Sequence, residues 1–105
     1  MNAKPVIPRS QADRDVKQAV EYYLEQDAPE AALGFIDAME AAYDQIGRYP
    51  AAGSPRYDHE LNLPGLRFLP LHGFPHLVFY VEREDHVDVW RVLHGQRDIP
   101  PWMIE

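Results

Sequence analysis

The chain contains no cysteine. Disulfides, thiolate nucleophiles and cysteine-ligated zinc are excluded, while the compartment stays open. Lysine occurs only at Lys4 and Lys17, and the net charge is −7. The acidity is spread evenly. Residues 1–52 carry five basic and nine acidic groups, residues 53–105 five and eight. Binding to a phosphate backbone draws on clustered Lys and Arg, so direct nucleic-acid binding is not expected. Serine occurs only as Ser10 and Ser54. Ser10 suits a helix cap and Ser54 a Pro/Gly turn, so a serine triad is not expected either. No apolar run approaches the roughly 20 residues of a membrane span. The first residues, MNAKPVIPRS, lack the apolar stretch of a signal peptide. A cytoplasmic protein without membrane contact is the simplest expectation.

What is present is enough for one domain. A chain of 105 residues buries roughly two-thirds of its unfolded surface. Hydrophobic residues make up 46%, which argues against disorder. A single domain over residues 1–105 is expected, with a short tail over 99–105.

The last third organises the rest. Leu66–Leu71, His76–Glu82 and Val87–His94 are rich in β-branched, aromatic and aliphatic residues, as strands are. Their connections are short, so they should pair antiparallel. Lys4–Pro8 is a further short extended segment. With two prolines unable to donate, it belongs at a sheet edge or is poorly formed.

Two helices precede these strands. Ala12, Val16, Ala19, Val20, Tyr23 and Leu24 form one helical stripe. Ser10 with Asp13 reads as a capping box, and the helix should run to about Gln26. Asp27-Ala28-Pro29-Glu30 repeats the start signal. The second helix carries Ala32, Phe35, Ile36, Met39, Tyr43 and Ile46 on one face. Gly47 is expected to end it, before Tyr49-Pro50. Residues 48–65 form a long connection with three prolines and two glycines. The fold class is α+β, in the order βααβββ, with a helical hairpin packed on one face of a small antiparallel sheet.

That arrangement leaves an accounting problem. A sheet covered on one face should alternate apolar and polar residues. In the second of the late strands Leu77, Phe79 and Val81 fill one face, and Val78 and Tyr80 the other. In the last, Val87, Val89 and Leu93 alternate with Trp90 and Val92. The hairpin covers one face only. The 48–65 loop, the tail, a second copy or another protein must cover the other.

The chemical inventory is small. His59, His72, His76, His86 and His94 fit no metal spacing; His72 and His76 are four apart across a Gly/Pro turn, not a helix. No Gly-rich phosphate loop is present. No metal, cofactor or catalytic set is expected. Arg67, His76, Arg91, His94 and Arg97 lie on or just beyond the late strands. Together they would form a basic cluster able to hold a phosphate or a carboxylate. Asp88 and Asp98 are close in sequence to Arg91 and Arg97 as internal partners. Trp102 in the tail suits packing or stacking.

PGLRFLPL, HLVFYV and VDVWRVLHGQRD together resemble the RelE/ParE superfamily of bacterial toxin–antitoxin toxins, the ParE branch in particular. The carrying residues are Gly65-Leu66-Arg67, Phe79-Tyr80 and the closing run Arg91-Val92-Leu93-His94-Gly95-Gln96-Arg97-Asp98. Ala12, Asp13 and Asp15, then Pro50 and Gly53, add support. The resemblance spans about residues 4–98. It implies a βααβββ toxin, neutralised by an antitoxin that wraps it with a helix and an extended segment. A strand or helix laid on it would cover the surplus apolar surface. It also implies binding and inhibition of DNA gyrase rather than bond-breaking chemistry. Target or toxicity candidates are then Arg67, His76, Arg91, His94, Arg97 and Trp102; antitoxin candidates are Leu69, Val78 and Tyr80. The alternatives are the RelE-like ribosome-dependent mRNA endonuclease and a non-toxic binding domain of the same fold. For the nuclease, Leu69 stands where a lysine would serve, no tyrosine follows Tyr80, and the net charge is wrong for a site among phosphates.

Overall fold

Proline decides where the first strand can lie. The computed structural model describes residues 3–56, 58 and 62–95. In it Val6–Pro8 forms β1, at an edge of the sheet. Leu66–Pro70, His76–Glu82 and Val87–His94 form β2, β3 and β4. The strand order is β1-β4-β3-β2. β2, β3 and β4 pair antiparallel, but β1 runs parallel to β4, with Val6 beside Val87 and Pro8 beside Val89. The sheet is mixed rather than antiparallel throughout. Short connections fix only neighbours in sequence, and the partner of β1 is the strand farthest from it along the chain.

Ser10–Glu25 forms α1 and Pro29–Arg48 forms α2. Both starts differ from the expected caps. Arg9 is the N-cap of α1, with no side-chain cap bond, and Ser10 is already helical. The reason lies in the sheet: the Arg9 amide donates to the Val89 carbonyl (2.9 Å) while its own carbonyl accepts from Asp13 (3.1 Å). The helix therefore springs directly from the strand. At α2 Ala28 is the N-cap and Pro29 opens the helix, while Asp27 takes a left-handed φ of 55° in the turn. Gly47 does not end α2 but lies buried inside it. A Cβ there would stand 2.9 Å from the Lys4 carbonyl and 3.1 Å from Val6. Glycine lets α2 touch the strand entry, where Lys4 donates to the Gly47 carbonyl (2.9 Å).

The core forms on both faces of the sheet. On the helix side Ala12, Phe35, Met39, Ala42 and Ile46 meet Leu69, Leu71, Val78, Tyr80, Val87, Val89 and Val92. Phe74, from the β2–β3 loop, packs edge-on to Phe35 (5.3 Å) and Tyr23 (5.7 Å), an arrangement that suits ring quadrupoles. Leu24 and Ile36, placed on the apolar stripes by spacing, are exposed. On the far side Leu66, Phe79, Val81 and Leu93 are buried, with Leu63, Phe68, Leu77 and Trp90 packed on them.

A bulge in β4 sorts the two layers. Phe79 pairs with Arg91 and Tyr80 with Val89, so Trp90 is the extra residue. Without it, strict alternation would turn Val89 and Val92 to opposite faces. With it, both face the helices and Leu93 joins Trp90 in the far layer.

Part of the long connection is fastened to the sheet. Pro50–Ala52 makes one 3-10 turn, and Ser54 exchanges two backbone bonds with Phe68 (2.9 and 3.0 Å) on the outer edge of β2. The Tyr80 hydroxyl donates to the Pro50 carbonyl (2.7 Å) and accepts from the Gly53 amide (2.9 Å). No described helix is long and apolar enough to cross a membrane.

Removing that hydroxyl leaves a buried amide and a carbonyl without their bonds. Tyr80→Phe should destabilise by about 1–3 kcal/mol in urea denaturation. Gly53→Ala should cost at least as much, because its Cβ would meet the Tyr80 hydroxyl and stand 2.9 Å from the Phe68 carbonyl.

Candidate functional site

The residues singled out by sequence fall into three places. Leu69, Val78 and Tyr80 were expected to meet an antitoxin, but all three lie in the core beneath the helices. Val78 and Tyr80 are 0% exposed. The hairpin covers their face, and Leu77, Phe79 and Val81 lie on the other, where Phe79 and Val81 are buried in the second cluster. Arg67 shares the side of Tyr80, beside which it pairs. Its guanidinium donates to the carbonyls of Gly53 (2.8 Å) and Ala51 (3.4 Å). It thus holds the loop to the edge of β2. Arg97 and Trp102 lie outside the described residues, as does His59.

His76 and His94 do come together, at the end of β4 beyond the reach of β1, while Arg91 pairs beside Phe79 and turns to α1. β1 covers only Val87, Asp88 and Val89 of the eight residues of β4. Past that point Asp15 of α1 takes the place of a neighbouring strand. It accepts from the Val92 amide (2.9 Å) and from Arg91 Nε and Nη2 (2.8 and 3.0 Å). The expected Arg91–Asp88 pair does not form, because a carboxylate on the helix above reaches the edge first. His76 and His94 are cross-strand partners with rings 5.5 Å apart, and buried His76 stands edge-on to Phe35 at 4.9 Å. A pocket of about 200 Å³ opens here, lined by Asp15, Gln18, Ala19, Tyr22, Tyr23, His76 and Val92. Among the described residues no group of three or more His, Asp or Glu could hold a metal. His86 stands at the β3–β4 turn, 2.6 Å from exposed Asp85.

Asp88 anchors a second cluster that sequence reasoning missed. It pairs beside Ile7 and Val81, on the sheet face away from the helices. Arg9 grips both its oxygens, Nε to Oδ1 at 3.0 Å and Nη2 to Oδ2 at 2.9 Å. Arg83 reaches Oδ2 with Nε (3.3 Å) and Nη2 (3.1 Å), and Trp90 Nε1 donates to it at 3.1 Å. The Arg9 guanidinium also lies over the Trp90 ring, 4.8 Å from its centroid. These bonds, Arg9 foremost and helped by Trp90 and Arg83, hold the Asp88 carboxyl down at about 2 against the opposing effect of burial. No periodicity marks this set. Arg9 and Arg83 are far apart in sequence, and the only local signal was an aspartate two residues before a tryptophan in a strand.

Comparison with known proteins adds to the geometry. Residues 6–99 match the model of a family described as the ParE toxin of the type II toxin-antitoxin system, parDE. A relative from Sinorhizobium fredii, "Putative toxin Y4kP", is 30% identical over 78 residues, covering 74% of this chain and 75% of the relative. A solved structure of the chromosomal ParDE TA system from P. aeruginosa superposes with a TM-score of 0.71 at 18% identity. It covers 86% of this chain and 94% of that one. That likeness bears on the fold.

Two measurements check the roles of the aspartates. Asp15→Ala takes the carboxylate away from the Arg91 guanidinium and from the buried Val92 amide, and should cost about 1–3 kcal/mol in denaturant unfolding. The Asp88 carboxyl is depressed in the fold, so its stabilisation is fully present above the ordinary carboxylate range near 4 and is lost as pH falls through about 2. Unfolding followed across that window should show a steeper loss for the wild type than for Asp88→Asn.

Proposed function

The chain belongs to the ParE toxin family of type II toxin–antitoxin systems, and from that premise we propose that it poisons cells by binding and inhibiting DNA gyrase. In this reading it is a cytoplasmic protein, not an enzyme, and a cognate antitoxin neutralises it by forming a complex. The family match over residues 6–99 carries the reading.

The geometry supports binding over RNA cleavage. A ribonuclease needs cations and proton carriers facing the scissile phosphate. Here Arg67 is committed to loop carbonyls and Arg91 to Asp15. His76 is buried against Phe35. The net charge of −7 opposes entry into a phosphate-lined site. Arg97 and Trp102 remain target-contact candidates, with His94 at the rim of the β4 end. The pocket beside α1, with Tyr22 46% exposed at its lip, suits an inserted side chain of a protein partner better than a nucleotide backbone.

Induced expression of the chain alone in bacteria, with pulse labelling of DNA and protein synthesis, tests this directly. An early block in DNA synthesis is expected, together with loss of supercoiling by purified gyrase on adding the protein. An early block in protein synthesis with supercoiling intact would replace the gyrase reading with the ribosomal nuclease. Normal growth with soluble protein would leave a binding domain without toxicity. Co-expression of the antitoxin should restore growth.

A further inference from the structure

The Asp88 cluster is built more strongly than one carboxylate requires. Two guanidinium groups from distant elements, the β1–α1 junction and the β3–β4 turn, meet a single aspartate. One positive charge is left over, in a chain whose net charge is −7. Each arginine uses its Nε and Nη2 edge in these bonds, which leaves the Nη1 groups outside them. The side chains are 53% and 45% exposed. Asp88 therefore works as a brace that fixes two half-exposed guanidinium groups, so less side-chain entropy is lost when they bind. Trp90, stacked under Arg9, and Ile7, 53% exposed on the same face of the sheet, supply apolar area beside the charge. Tryptophan and arginine are the residues over-represented at the energetic centres of protein interfaces.

We propose that the surface formed by Arg9, Arg83, Trp90 and Ile7, on the sheet face away from the helices, is a docking site for the antitoxin, receiving an Asp or Glu side chain with an apolar residue next to it. Charge complementarity selects this occupant. A carboxylate matches the planar fork of a guanidinium. Glu84 and Asp85 lie on the adjoining turn and Glu82 is held by Lys4 (2.7 Å), so the positive region is one group wide. A single carboxylate fits that width; a polyanionic nucleic-acid backbone would meet the flanking acids. The inference rests on the antitoxin reading above and adds where and through which chemistry the partner is held.

The test measures the affinity of the purified cognate antitoxin for the wild type and for Arg83→Gln, Arg9→Gln and the double variant, by calorimetry at low and high salt. Single variants should weaken binding by about tenfold and the double by more, with the salt dependence reduced. Arg83→Gln leaves Arg9 on Asp88, so the fold is retained, and a thermal melt verifies this. Arg83→Glu should be rescued by a reciprocal Glu→Arg or Asp→Arg change on the antitoxin. Hydrogen exchange of the unmodified complex gives a check independent of variants: amides over residues 83–90 should gain protection. Wild-type affinity in the double variant, or unchanged exchange there, would overturn the proposal. Loss of gyrase inhibition with antitoxin affinity intact would overturn it as well and assign the surface to the target. An antitoxin that does not bind the wild-type chain would overturn the partner reading and the site together, an outcome told apart by the wild-type measurement alone.

Discussion

One extra residue in β4 governs how this molecule is layered. An unbroken eight-residue strand would present its apolar side chains with strict period two, and Val89 and Val92 would point to opposite faces. The bulge at Trp90 resets the alternation. Before it, Val87 and Val89 face the helices; after it, Val92 does. Leu93 is moved to the far face beside Trp90, where Leu66, Phe79 and Val81 meet them. A strand that looks apolar on both sides is thus divided between two cores, and neither helix has to reach round the sheet.

The same strand needs two carboxylates to finish it. β1 is too short, with prolines at Pro5 and Pro8, to pair along all of β4. Asp15 closes the edge past its end, accepting a backbone amide as a strand carbonyl would, and its charge is met by Arg91. Asp88 works on the opposite face, gathering Arg9, Arg83 and Trp90 where β1, the β3–β4 turn and the bulge converge. Buried carboxylates are costly unless paired and hydrogen-bonded, and both of these are. In this way an acidic chain turns acid groups into positioning elements for its few cations.

This pairing explains why the candidate site was only partly legible. Sequence located Arg67, His76, Arg91 and His94 on the right strands, and the structure brings His76 and His94 together across β3 and β4. It could not assign their partners. Asp15 is 76 residues from Arg91, and nothing in the spacing of α1 separates a buried acid from the solvated ones around it. By sequence Leu69, Val78 and Tyr80 read as interface residues, because two apolar faces are visible and only one helical layer is available. Which face the hairpin covers depends on the hand of the crossover from β1 to the sheet, not on composition. The hydroxyl of Tyr80 then ties Pro50 and Gly53 down, so the loop becomes part of the cover on that side.

What the sequence determined by itself was local. Hydrophobic period and short turns placed β3 and β4 to the residue and β2 to within one, and helical spacing placed both helices, because these patterns depend on neighbours along the chain. The closing run from Arg91 to Asp98 pointed to the family. The tertiary structure alone decided the parallel pairing of β1, the close approach at Gly47, the start of α1 at Arg9 in place of a serine cap, and the partners of Asp15 and Asp88. Apart from the local bonds of Arg83 and Trp90 to Asp88, these join groups roughly 40 to 80 positions apart. Such contacts form only once the sheet fixes distance and direction, and no local propensity encodes them.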